Sequence, residues 1–375
     1  MTEPLKAIYN EAFLRQFSEK VHAVYGTFDS ERFIAEVLGN TWGELALKAR
    51  IGRIAEILGR YLPPLYDEAL DILFSIEENC IGFPYLFFPE FVALYGQEQD
   101  HWELSMKALE RFTVKSSAEF AVRPFLLKNT ERMMCQMEEW SKHPNEHVRR
   151  LSSEGCRPRL PWREALVMFK NDPTPVLRIL EQLKADPSLY VRKSVSNNLN
   201  DIAKDHPAVV LETARRWKGV HSDTDWIVRQ GCRTLIRRAD PEAMALFGYG
   251  DTVSGATIAT DASLSVVPRV LSVDGSCELR YELNIREGDL VRIRIEYGID
   301  FVKLRGCTSR KIFLLSDKIV HGGAHLSATR THRWLDLTTR RHYPGEHHIV
   351  LLVNGREVAD AVMKLEAGNN METSI

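Results

Sequence analysis

His143-Pro-Asn-Glu-His-Val-Arg-Arg-Leu-Ser-Ser-Glu-Gly-Cys-Arg-Pro-Arg-Leu-Pro-Trp162 and Asp186-Pro-Ser-Leu-Tyr-Val-Arg-Lys-Ser-Val-Ser-Asn-Asn-Leu-Asn-Asp201-Ile-Ala-Lys204 decide how this chain is read. Laid over each other, Pro144 meets Pro187, and Val148-Arg149-Arg150 meets Val191-Arg192-Lys193, an offset of 43 residues. A weaker third copy, Asp225-Trp-Ile-Val-Arg-Gln-Gly, follows 37 residues after the second. Val191, Val195, Leu199 and Ile202 fall on one face of a helix, so each copy is a helical unit with one apolar side. Ser194, Asn197, Asn198 and Asp201 fall on the other. Asn is a poor helix-interior residue because its side chain competes for the backbone. Two in a row beside an Asp read as a face kept polar for a purpose; the ordinary alternative is a solvated face.

An offset in this range is that of HEAT-type repeats. One unit cannot bury its own apolar face, so units stack into an α-solenoid with a concave surface. The formal net charge of −2 is unevenly spread: residues 143–240 hold 18 Lys and Arg against 12 Asp and Glu, while residues 1–142 hold 15 against 22. A basic stretch inside a solenoid is the electrostatic footprint of a polyanion partner. Helix-packing arginines could account for Arg149, Arg192 and Arg229, though hardly for the whole surplus.

Outward from the repeats, residues 5–40, 44–60, 66–78 and 88–95 read as helices, and the helical pattern resumes from Trp102. Ser116 and Glu119 have the spacing of a capping box, which would make Ser116 an N-cap. Pro161 suits the first turn of a helix and would place Trp162 at a helix N-terminus. A Trp among Arg157, Arg159 and Arg163 is an odd core residue and a reasonable one for stacking on a base. Beyond Pro241 the period becomes two, as in Leu290-Val-Arg-Ile-Arg-Ile-Glu-Tyr, and Asn354-Gly355 between apolar runs predicts a hairpin. The expected layout is mainly α: a repeat domain at 1–247, a linker at 248–258, a small all-β sandwich at 259–367 and a disordered tail at 368–375. At 375 residues the chain is too long for one ordinary domain and suggests two or three. The 6 cysteines form no Cys-x-x-Cys pair, so neither a disulfide framework nor a zinc site is expected, and the compartment is the cytosol. No apolar run is long enough for a membrane span. The twelve histidines have no metal-ligand spacing; His347 reads as structural.

Ser153-Glu-Gly-x-Arg-Pro-Arg-Leu-Pro-Trp162, the stretch from Val191 to Lys204, and Glu119-Phe-Ala-Val-Arg-Pro-Phe125 together resemble the AlkC family of DNA glycosylases. These belong to the HEAT-like-repeat glycosylase superfamily with AlkD, and some members carry a C-terminal immunoglobulin-like domain. The resemblance implies excision of positively charged alkylated bases (3-methyladenine, 3-methylcytosine, 1-methyladenine) from duplex DNA in base excision repair. No cofactor and no metal enter such chemistry, and a monomer is expected. Motif by motif, Glu119, Glu154, Trp162 and Asp201 fall where the family's active-site residues lie. Candidate DNA contacts are Arg123, Arg149, Arg150, Arg157, Arg159, Arg192, Lys193, Asn197, Asn198, Arg229 and Arg233. The Arg330-Thr-His-Arg and Arg340-Arg-His segments of the β-region are further candidates. The rival reading is a non-catalytic HEAT-repeat protein that binds DNA or protein.

Overall fold

The computed structural model describes residues 4–249, 257–337 and 340–366. Two compact units divide the chain, Met1–Gly231 and Cys232–Ile375.

The first unit is helical. Its elements are α1 (Glu11–Val24), α2 (Ser30–Val37), α3 (Leu47–Tyr61), α4 (Tyr66–Ile76), α5 (Phe87–Tyr95), α6 (Trp102–Lys115), α7 (Val122–Lys128), α8 (Thr130–Trp140), α9 (Glu146–Gly155), α10 (Val167–Asn171), α11 (Thr174–Leu183), α12 (Leu189–Ile202), α13 (Pro207–Trp217) and α14 (Ser222–Gly231). The three sequence copies are α9, α12 and α14, and α12 packs against both others. Their first turns are built alike: the Asn145 and Ser188 side chains cap α9 and α12 by accepting from the backbone N–H of His147 and Tyr190. Val191, Val195, Leu199 and Ile202 are all buried, as their period predicts. At Gly155 a Cβ would lie 2.5 Å from Val122 Cγ2, so a side chain there would push α7 off α9.

Two expected helix starts are displaced. Ser116 ends α6 as its C-cap rather than starting a helix, and α7 begins only at Val122, so Glu119 sits in a turn between them. Pro161 and Trp162 lie on a turn as well, with α10 starting at Val167. No helix among the described residues is long and apolar enough to cross a membrane.

The second unit starts with two short helices, α15 (Arg233–Arg237) and α16 (Pro241–Leu246), and continues as strands β1 (Ala259–Val267), β2 (Val270–Ser272), β3 (Ser276–Ile285), β4 (Val291–Val302), β5 (Thr308–Val320), β6 (His325–Arg333), β7 (Gly345–Val353) and β8 (Arg356–Glu366). A sheet of order β1-β3-β6 faces one of order β2-β8-β7-β4-β5. Between them lie Trp334, Phe301, Tyr297, Ile299 and Ile349 in one cluster, and Leu283, Ile293, Ile295 and Leu351 in another. The hairpin turn between β7 and β8 is Asn354-Gly355, with φ of 49° and 79°. Both values lie in the left-handed region that a type I′ turn requires. Residues 233–246 group with the strands although the boundary was expected at 247. The expected linker starts on a fixed point, since Tyr249 is buried and its hydroxyl donates to Asp317 (2.7 Å). Linker residues 250–256 and the tail at 368–375 lie outside the described residues.

Candidate functional site

Glu154 closes the last turn of α9, and Arg157 follows just beyond the helix. The Arg157 guanidinium donates through Nη1 to Glu154 Oε1 (2.7 Å) and through Nε to Asp201 Oδ2 (2.9 Å) on α12. One turn earlier, Arg150 lies 3.7 Å from Glu154 Oε1 and 3.5 Å from Glu119 Oε2. Lys204 reaches the other Asp201 oxygen (3.0 Å). Three carboxylates predicted as site residues are thus one connected series, Glu119–Arg150–Glu154–Arg157–Asp201. Asp201 and Glu154 are only 2% and 6% exposed, so they are fixed in place rather than displayed on an open surface.

Small residues make this meeting possible. Ser153 and Ser194 share a 2.7 Å hydrogen bond across the α9–α12 contact, and Asn198 donates to the Ser153 carbonyl (2.8 Å). The close approach brings the C-terminal ends of both helices together. Burial alone would lower the Arg157 pKa, but Glu154 and Asp201 more than offset it and the net direction is up. The same holds at Arg150, where Glu119 and Glu154 outweigh burial. Both arginines therefore stay charged. Cys156 beside them has its thiol pushed up to about 12 by burial, so it is no thiolate nucleophile.

Trp162 stands 60% exposed with φ 67°. A left-handed backbone at a bulky residue costs about 1–2 kcal/mol and persists only where the surroundings impose it. The surroundings here include Arg123. Its guanidinium is buried with no carboxylate partner among the described residues and donates to the carbonyls of Gly155 (3.2 Å), Arg157 (3.1 Å) and Glu164, on both sides of Trp162. Burial pushes its pKa down to about 10. Arg159 pairs with Asp205 (2.6 and 3.0 Å), and Arg163 with Glu90 (2.8 Å). The segment carrying the indole is tied down at several points while the indole itself faces outward.

Several expected DNA contacts are otherwise occupied. Arg149 donates to both Asp186 oxygens (2.6 and 3.1 Å) and to the carbonyls of His143 and Pro144. Arg192 repeats the pattern on Asp223 and the carbonyls of Asp186 and Pro187. Asn198 is 0% exposed, so the polar face expected around it is a buried helix contact and no surface for DNA. Arg123, 4% exposed, is a loop clamp for the same reason. Arg150 and Arg157 serve carboxylates first. Lys193 is exposed, Asn197 and Arg229 are half-buried on their helices, and Arg233 belongs to the second unit. In the β-unit His332 and His342 are buried and Arg340 stacks over Phe301 (4.9 Å), which leaves Arg330, Arg333 and Arg341 exposed. Sequence reasoning did not foresee Lys204 or Tyr190, whose ring lies under Arg150 (4.6 Å). The i+3 spacing of Lys204 from Asp201 was the available signal.

Residues 100–235 match the family described as DNA alkylation repair enzyme. Residues 260–367 match the one described as uncharacterised protein YhaZ, C-terminal Ig-like domain. The Pseudomonas fluorescens alkylpurine DNA glycosylase AlkC, solved bound to DNA containing an abasic site analog, is 38% identical, with a TM-score of 0.90 over 97% of this chain and 100% of its own. The chain belongs to the AlkC family of alkylpurine DNA glycosylases. The uncharacterized protein YhaZ of Bacillus subtilis (strain 168) is similar too, 44% identical over 358 residues that cover 96% of this chain and 98% of YhaZ. The Ig-like match covers the strands described above.

Proposed function

We propose that this chain is a DNA glycosylase that hydrolyses the N-glycosidic bond of positively charged alkylated bases, 3-methyladenine, 3-methylcytosine and 1-methyladenine, in duplex DNA. The helices of the first unit stack as HEAT-like repeats into a solenoid, and the duplex lies in its concave face. One observation supports this most: Glu119, Glu154 and Asp201 are gathered by Arg150 and Arg157, and the exposed Trp162 follows on the segment that Arg123 pins.

Alkylation at a ring nitrogen leaves the base cationic and already a good leaving group. It departs neutral with the electrons of the C1′–N bond, and the positive charge passes to the sugar. Fixed carboxylates beside that sugar favour the transfer, and their orientation is set before the reaction begins. Water then bonds to C1′ and loses a proton, which Asp201 receives or passes on. Trp162 offers its ring face to the cationic base, worth about 0.5–2 kcal/mol. A neutral adenine gains neither term, and this is the source of discrimination. No metal or cofactor is needed, and the chain acts as a monomer in the cytosol.

Incubation of the purified protein with methylated DNA should release 3-methyladenine, detected by chromatography. A second reading, binding without excision, draws on the fact that both Asp201 oxygens are occupied, by Arg157 and Lys204. Tight DNA binding with no released base would select it.

A further inference from the structure

Between α3, α5 and the turn that precedes α7, the helical unit has a notch that the chemistry above leaves unused. It is lined by Lys48 of α3, Glu90 of α5, Ser117 and Phe120 on either side of Glu119 in the chain, and Arg163, the residue after Trp162. Its volume of about 40 Å³ has room for a few water-sized groups. The Lys48 ammonium lies over the Phe120 ring at 5.1 Å, and no carboxylate stands within ion-pair distance of it among the described residues. Arg163 lies over the same ring at 5.8 Å and is paired with Glu90, while its Nε is buried without a partner.

The charged residues of the lining are two cations, Lys48 and Arg163, and one carboxylate, Glu90. Burial lowers the Lys48 pKa, repulsion from Arg163 and Arg123 adds to that, and Glu90 and Glu164 oppose it. A partly buried ammonium with no carboxylate at ion-pair distance among the described residues, over the same ring as a guanidinium, attracts an anion. A planar guanidinium and a point-charge ammonium together suit a phosphate.

We infer that Lys48 and Arg163 seat one phosphodiester of the bound DNA. This rests on the DNA-binding part of the function proposed above, not on excision. Lys48→Met keeps the aliphatic stem against Phe120 and removes the charge; Lys48→Gln is a second neutral variant, and Lys48→Arg keeps the charge. After thermal melts establish that each folds, binding of an unmodified duplex is followed by fluorescence anisotropy across salt concentrations. Lys48→Met and Lys48→Gln should bind about five- to tenfold more weakly at low salt and flatten the slope of log K against log salt by about 0.9, while Lys48→Arg keeps both. An unchanged slope in both neutral variants overturns the seat. Inorganic phosphate that broadens its ³¹P signal with the wild type but not with Lys48→Met, with the DNA slope unchanged, assigns the notch to a free anion and also overturns it. Wild-type protein that binds DNA steeply with salt yet releases no methylated base contradicts only the glycosylase reading.

Discussion

The two ends of the repeated helices differ in kind. At their N-terminal ends α9 and α12 are copies: a side-chain cap, an arginine on the two preceding carbonyls, and an aspartate from the next unit, Asp186 for Arg149 and Asp223 for Arg192. At their C-terminal ends, 43 residues apart, Glu154 aligns with Asn197, Arg157 with Asn200, and Pro158 with Asp201. Repetition marks the groups that join one unit to the next. Departure from it marks the groups to which the function proposed above gives the chemistry. A repeat protein can therefore be searched for its site by asking where its copies disagree.

That contrast can be broken by substitution. The largest effect on folding should come from Arg157→Met, which takes the shared cation from Glu154 and Asp201 and leaves them only Arg150 and Lys204. Removing one member of a buried pair costs about 3–5 kcal/mol, so denaturant melts should show a clearly lower midpoint. Arg149→Met, at the repeated end, should cost about 2 kcal/mol because Asp186 loses two of its hydrogen bonds and two carbonyls lose a donor. It should leave the excision rate of the folded fraction and the salt slope of DNA binding near wild type. A flattened slope would return Arg149 to the DNA contacts and blur the distinction between the two ends.

Acid supplies a comparison between the units. In the β-unit His332 is buried, and desolvation with the nearby Arg340, His342 and Arg330 holds its pKa down at about 4. The unfolded imidazole protonates near the ordinary value of about 6.5, so the folded state is favoured above that pH. The stability is lost as pH falls from about 6.5 toward 4, by roughly 2 kcal/mol at pH 5 for this group. Calorimetry at pH 7.5 and pH 5 should show the loss, and His332→Phe should shrink it. An undiminished loss in that variant would place the acid sensitivity elsewhere.

Much of the fold was legible because it depends on local periodicity: the three helical copies, the change of period beyond Pro241, and the left-handed pair Asn354-Gly355. The grouping of Glu119, Glu154 and Asp201 came from a resemblance; no spacing shows that Arg150 and Arg157 would connect them. The misses share a cause in long-range contacts. Pro161 and Trp162 were expected in a helix, but carbonyls on both sides of them bond to Arg123, some 30 to 40 residues away. Asn198 was assigned to a polar surface because a single helix shows which residues share a side, and not that α9 covers it. The partners of Arg149 and Arg192 lie in the following unit, where only the fold discloses them.

In the function proposed above, the non-repeating ends hold the reacting carboxylates. Single-turnover excision of 3-methyladenine by Asp201→Asn, measured beside its affinity for DNA with an abasic-site analogue, tests it most directly. The account predicts a rate lower by at least about 10²-fold with affinity within about threefold of wild type. An unchanged excision rate would contradict it.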